Sequence, residues 1–166
     1  SVKTHVVNES NRNEAFNITQ GLYKGEQLVQ MITGEQLHLS PGEDAAFLQE
    51  LVVEAPELWS PRHPHLYLLR TTVKQRDKII DQETTSIGIK SMAFRDQAFF
   101  LNGEQLFLRG INRHQEYPFV GYALSDNAQY RDAKKIKDAG FDYVRLSHYP
   151  HSDAFMDACD ELGIMC

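Results

Sequence analysis

The sequence predicts a β-sandwich of the immunoglobulin-like type followed by an incomplete (β/α) barrel portion, and three observations carry that prediction. Up to about Lys90 the apolar residues recur with a period near two, interrupted by turn residues at intervals of about eight to twelve. After about Met92 the pattern becomes strand, helix, strand, helix, strand, the opening of an α/β barrel or an open parallel sheet. The first of those strands reads as apolar on both faces, and such strands belong in sheets covered on both sides. The expected domains are 1–91 for the sandwich and 92–166 for the start of the barrel, which breaks off in its third strand.

In the first half, residues 2–8 form one candidate strand and 8–13 a polar loop. Residues 15–20 place Phe16 and Ile18 on one face. Strands at 27–33 and 36–39 follow, the second ending in the turn Ser40-Pro41-Gly42. In 47–53, Phe47, Gln49, Leu51 and Val53 alternate against Leu48, Glu50 and Val52. A proline-rich corner at 56–64 leads into a strand at 66–74, a polar turn at 75–78 and a long return strand at 79–90. Trp59, the only tryptophan, is expected in the sandwich core rather than stacked on a ligand. His63 and His65 read as solvated surface, as do the carboxylates of 35–57. The cysteine pair of antibody domains is absent, so the reading concerns architecture only.

In the second half, residues 98–101, Asn102-Gly103 and residues 105–108 read as a hairpin through a type I′ turn, because Asn-Gly supplies the positive φ angles that turn needs. Residues 106–111 continue as a nearly unbroken apolar run, and 112–116 leave it as a polar loop. Ser125-Asp126 opens a helix with Tyr130, Ala133 and Ile136 on one face, and Gly140 ends it. A short strand around Val144 follows, closed by Pro150. The second helix, 152–162, carries Phe155, Met156, Cys159 and Leu162 at helical spacing. Gly163 closes it, and 164–166 begin a third strand.

Composition excludes several classes of function. With 166 residues, 42% hydrophobic and 24% charged, the chain reads as globular. A net charge of −6 without a basic cluster argues against nucleic acid and anionic membrane as partners. No apolar run approaches the roughly 20 residues of a spanning helix. Cys159 and Cys166 form neither a disulfide framework nor a zinc-ribbon spacing. Compartment stays open between cytoplasm, periplasm and secretion.

The chemistry concentrates at 141–150. Arg145 is a full charge within an apolar strand, costly unless it meets a partner or a cleft. In a βα unit that cleft lies at the carboxyl end of the strand, where His148 also sits. Val144-Arg145-Leu146-Ser147-His148-Tyr149-Pro150, with Phe155-Met156, Asp160 and Gly163 downstream, resembles the first signature of glycoside hydrolase family 2. Phe107-Leu108-Arg109-Gly110-Ile111-Asn112-Arg113-His114 resembles the first barrel strand of that family and the loop after it. Leu58-Trp59-Ser60-Pro61, with Pro64, Leu66 and Tyr67, resembles the end of its immunoglobulin-like domain. Asp142 and Leu146 depart from the usual pattern, where Asn and a smaller residue are common.

The resemblance implies part of a retaining exo-β-glycosidase, closest to β-galactosidase-type members, with a β-galactoside or similar carbohydrate as substrate. It implies that Arg145 bonds and keeps ionised the nucleophile carboxylate, and that His148 contacts sugar hydroxyls. The alternatives are a structural ion pair for Arg145 and a helix-capping role for His148. Asn112, Arg113 and His114 line the active-site rim or form a stabilising loop network. Both catalytic glutamates are expected beyond Cys166, which predicts that this chain alone is inactive. No cofactor is evident here; the resemblance admits a divalent or monovalent metal, and a homo-oligomer, for the parent enzyme. His148 and His151, three apart, have no third metal ligand nearby. A carbohydrate-binding or purely structural sandwich module is the competing reading. An unclosed barrel would leave a strand edge and an apolar face uncovered. Residues beyond about Phe94 are therefore expected to be irregular, paired with a second copy, or covered by neighbours.

Overall fold

Seven strands build the first unit: β1 (Val2–Val7), β2 (Glu14–Lys24), β3 (Gln27–Thr33), β4 (Leu37–Leu39), β5 (Asp44–Gln49), β6 (Tyr67–Gln75) and β7 (Lys78–Ile87). The computed structural model describes all 166 residues and divides into two units, 1–56 with 67–87, and 57–66 with 88–166. In the first, β3, β2, β6 and β7 lie side by side and antiparallel, β4 also pairs with β2, and β1 pairs with β5. The long β2 anchors the larger sheet because its alternation sends Phe16 and Ile18 inward, where they meet Leu39 and Val73. Phe16 meets Phe47 of β5 edge to face, ring centroids 6.1 Å apart. A buried amide crosses this core. Gln20 donates to Thr4 Oγ1 (2.9 Å) and Gln49 Oε1 (3.2 Å) and accepts from Thr71 Oγ1 (2.7 Å), while Gln49 donates to the Ile18 carbonyl. Both buried glutamines therefore have partners, as burial requires.

Two strands are shorter than the alternation suggests. The strand expected at 47–53 is Asp44–Gln49, because its pairing with β1 ends at Val2↔Gln49. The return strand stops at Ile87. Gly88 has left the ladder, and a Cβ there would stand 2.8 Å from Trp59 Cγ.

The second unit contains β8 (Met92–Arg95), β9 (Ala98–Leu101), β10 (Glu104–Gln105), β11 (Gly110–Arg113), α1 (Asp126–Asp138), β12 (Tyr143–Leu146) and α2 (Asp153–Leu162). β8, β9 and β10 form an antiparallel meander. Asn102 (φ 54°) and Gly103 (φ 85°) make the turn that Asn-Gly predicts. Asp96 (φ 50°) and Gln97 (φ 59°) make a second left-handed turn without glycine, so β8 was not visible in the sequence. β11 and β12 pair in parallel, and Met165 continues the order by a parallel bridge to Tyr143.

The apolar run 106–111 is not one strand. Leu106 and Leu108 pack with Trp59 and Leu101 while Phe107 is 82% exposed, and β11 begins only at Gly110. There a Cβ would lie 2.5 Å from the Tyr143 carbonyl oxygen, so glycine permits the close strand approach. Asn112 and Arg113, expected in a loop, are the last residues of β11.

On α1 the buried face is Gln129, Ala133 and Ile136, with Tyr130 41% exposed. Ser125 occupies the N-cap position but makes no side-chain cap bond. On α2, Ser152 Oγ accepts from the Phe155 N–H. The helices cover one face of the parallel strands through Val144, Phe155 and Ile164, with Ile111 and Leu146 against them. Beyond Phe94 the chain forms the regular strands and helices above, so of the three expected alternatives irregular folding is not the one it takes.

Trp59 is buried as expected but belongs to the second unit, beside Leu101 and Met165. Its indole N–H donates to the Asp160 carbonyl at 2.8 Å, and Lys90 Nζ stands 4.7 Å from the ring. Lys137 ties the same corner, donating to the Pro61 and Gly163 carbonyls at 2.8 and 2.9 Å. Gly163 has φ +74°, and a Cβ there would fall 2.5 Å from the Pro61 carbonyl oxygen. Gly163→Ala is therefore expected to destabilise this unit by at least about 1–3 kcal/mol, read from the midpoint of urea unfolding.

Candidate active site

Parallel register sorts the side chains of β11 and β12 to two faces. Ile111 lies opposite Val144, Asn112 opposite Arg145 and Arg113 opposite Leu146. Ile111, Val144 and Leu146 pack against the helices, so Arg113 turns to that side while Asn112 and Arg145 turn to the other. Arg145 and Asn112 are both exposed, and Arg145 Nη1 donates to Asn112 Oδ1 at 3.5 Å, the outer limit of a hydrogen bond. No carboxylate stands within ion-pair distance of Arg145. Past the strand ends, His114 and His148 face each other edge to face with centroids 6.0 Å apart, both exposed. The Ser147–His148 peptide bond is cis. The fold thus brings Asn112, His114, Arg145 and His148 together at the carboxyl ends of two adjacent parallel strands.

Arg113 is separated from these four. It is 6% exposed, its Nη2 donates to Gln129 Oε1 and Asp132 Oδ2 at 2.8 Å each, and its guanidinium lies 3.8 Å from the Phe155 ring centroid. Tyr117 donates to the other oxygen of Asp132 at 2.6 Å, a bond that holds the Tyr117 phenol above its usual value. Arg113 Nη1 stands 3.0 Å from His151 Nδ1. Since the guanidinium can only donate, His151 Nδ1 accepts and the ring is neutral. His151 is therefore a member of this buried network and turns no lone pair toward His148. The described side chains contain no group of three or more His, Cys, Asp or Glu placed to hold a metal.

Burial, and then the positive charge of Arg113, push the His151 pKa below its ordinary value. As pH falls through the usual histidine range the unfolded chain takes up a proton that the folded chain refuses. Stability from neutral His151 is thus complete above about pH 6.5 and declines below it, levelling once pH passes under the depressed folded value. His151→Gln keeps an acceptor for Arg113 but does not titrate. The stability difference between the parent and this variant is expected to shrink from pH 7.5 to 5.5 in urea unfolding; a constant difference would contradict the assignment.

Two family models match consecutive stretches of the chain. "Glycosyl hydrolases family 2" matches residues 1–90, and "Glycosyl hydrolases family 2, TIM barrel domain" matches residues 92–166. The chain belongs to glycoside hydrolase family 2. Among its family 2 relatives, a β-galactosidase of Thermoanaerobacter pseudethanolicus is 42% identical over 120 residues, covering 71% of this chain and 16% of the relative. A putative β-glucuronidase of Formosa agariphila is 40% identical over 114 residues, covering 68% of this chain and 14% of the relative. The crystal structure of a Bacteroides uniformis β-glucuronidase superposes with a TM-score of 0.91 at 35% identity, over 98% of this chain and 20% of that one. The chain thus spans about a fifth or less of the length of these family 2 proteins. The fold is the family 2 sandwich followed by the start of its barrel.

Sequence reasoning missed the partners around the family 2 motif: Gln115, Gln129, Asp132, Tyr149 and the neutral His151. One signal was available. Alternation along a parallel strand puts Asn112 and Arg113 on opposite faces, so only one of them can join Arg145.

Proposed function

We propose that the chain supplies the immunoglobulin-like domain and the first barrel strands of a retaining exo-β-glycosidase that hydrolyses terminal β-D-galactosides. The observation that carries this reading is the set of Asn112, His114, Arg145 and His148 at the carboxyl ends of β11 and β12, the end where barrels of this type hold their active sites. Retaining hydrolysis needs two carboxyl groups about 5–5.5 Å apart, one acid/base and one nucleophile. Glu116, Asp142 and Glu161 do not match the motifs that carry the two glutamates in this family, and Asp142 is already held by Lys137 at 3.2 Å. The pair therefore comes from outside these residues, and this chain alone has no turnover.

In this reading the Arg145 fork donates to the nucleophile carboxylate and holds it ionised for attack on the anomeric carbon. His114 and His148 reach sugar hydroxyls, and Asn112 steadies Arg145 or takes a further hydroxyl. β-Glucuronides are the second substrate reading, favoured by the likeness to the Bacteroides uniformis enzyme. The full-length protein assayed on aryl β-galactosides, β-glucuronides and β-mannosides is expected to turn over the galactoside. Turnover by residues 1–166 alone, or cleavage of no β-glycoside by the full-length protein, contradicts the reading. The parent enzyme is proposed to be a homo-oligomer, with no cofactor assigned to these residues.

The competing role of carbohydrate-binding module would call on Trp59, but that ring is 1% exposed and its N–H is taken. Titrating galactose or glucuronate into this chain is expected to leave Trp59 fluorescence unchanged. A saturable change would revive the binding-module role.

A further inference from the structure

His114 and His148 carry the proposed contacts to sugar, yet both are exposed and neither makes a hydrogen bond of its own. Their placement comes from the loops that bear them. The Gln115 backbone N–H donates to the Tyr149 hydroxyl at 3.0 Å. The Ser152 backbone N–H donates to Gln115 Oε1 at 2.9 Å. Gln115, next to His114, is thereby tied to two points of the loop after β12, one adjoining His148 and the other at the start of α2. The Tyr149 ring fills the space between, with centroids 6.0 Å from His114 and 5.1 Å from the buried His151. Tyr122 closes the outer side, 5.5 Å from Tyr149 and at 79° to it. Proximity to Tyr149 and then to Glu116 raises the Tyr122 phenol above its ordinary value.

The geometry points to Tyr149 and Gln115 as positioning residues that clamp the two strand-end loops, so that His114 and His148 are already set edge to face when a sugar arrives. Holding exposed side chains in a bound geometry beforehand removes an ordering cost from binding and from the transition state. The inference rests on the proposed glycosidase reading, because it needs the two histidines to touch substrate. The Tyr149 ring packs with His114, His151 and Tyr122, and its hydroxyl accepts from Gln115 and faces the Tyr122 phenol, so its part is to position rather than to react.

Tyr149→Phe removes the hydroxyl that accepts from Gln115 and faces Tyr122, and leaves the ring in place. In the full-length protein it is expected to lower kcat/KM on an aryl β-galactoside by about tenfold or more, with little change in unfolding temperature. In a His148→Ala background the same substitution is expected to cost less than about twofold, because the residue it acts through is gone. Full activity of Tyr149→Phe, or an equal loss in both backgrounds, overturns the inference. Should no β-glycoside be cleaved, the functional reading fails separately, and the clamp is read by NMR with labelled histidine. A ring-to-ring contact between His114 and His148 is expected in the parent and lost in Tyr149→Phe; its persistence in the variant overturns the clamp.

Discussion

Arg145→Ala in the full-length protein is expected to lower kcat on an aryl β-galactoside by about a hundred- to a thousandfold, the loss typical of removing one preorganised charged or hydrogen-bonding group at a reacting centre. The unfolding midpoint is expected to stay near that of the parent, because Arg145 is exposed and its contact with Asn112 is 3.5 Å long. Arg145→Lys keeps the charge but not the planar fork, so it recovers only part of the activity. Steady-state kinetics beside thermal unfolding separates these outcomes. An inactive but unstable variant would make Arg145 a structural residue instead.

The opposite pattern is expected of Arg113→Leu. Removing that guanidinium leaves Gln129 and His151 without their partner and Asp132 with Tyr117 alone, and Asp132 carries a charge that is mostly buried. Breaking such a pair from one side costs about 3–5 kcal/mol, enough to unfold a marginal domain. Urea unfolding monitored at Trp59, which lies in the same unit, should show the loss directly. Arg113→Lys is expected to keep the ion pair while losing the bonds to Gln129 or His151, and to fall between parent and Leu. Two arginines on neighbouring strands, one register position apart, are thus expected to separate function from stability because a strand alternates its faces.

That alternation also marks how far the sequence could be read. Helix ends at Gly140 and Gly163, the Asn102-Gly103 turn and the inward Phe16 and Ile18 are local signals, and each stands where the pattern placed it. The shared place of Arg145 and His148 at a strand end was legible because a charge in an apolar strand before a proline has few places to go. The network around Arg113 was not, because Asp132, Gln129 and His151 come from three other segments and meet only through packing. Trp59 is buried as the sequence suggests, but what it packs against was not visible. Its partners Leu101, Asp160 and Met165 lie forty or more residues away, and no periodicity near position 59 records them. The turn at Asp96-Gln97 was hidden for a different reason, since neither residue is the glycine that positive φ favours.

The contrast between Gln20 and Gln115 shows the same limit. Both are polar side chains that join separate segments, one crossing the sandwich core and the other tying two loops. Neither differs in its sequence surroundings from a solvated glutamine. Their roles depend on which strand lies opposite, and register is a property of the folded sheet.

A crystal structure of the full-length protein with a glycosyl group trapped covalently on its nucleophile is the most direct measurement. Arg145 is expected to stand within about 3 Å of that carboxylate, with His114 and His148 at hydrogen-bonding distance from the sugar hydroxyls. A sugar bound away from the ends of β11 and β12, or an Arg145 paired to a carboxylate remote from it, would contradict the assignment.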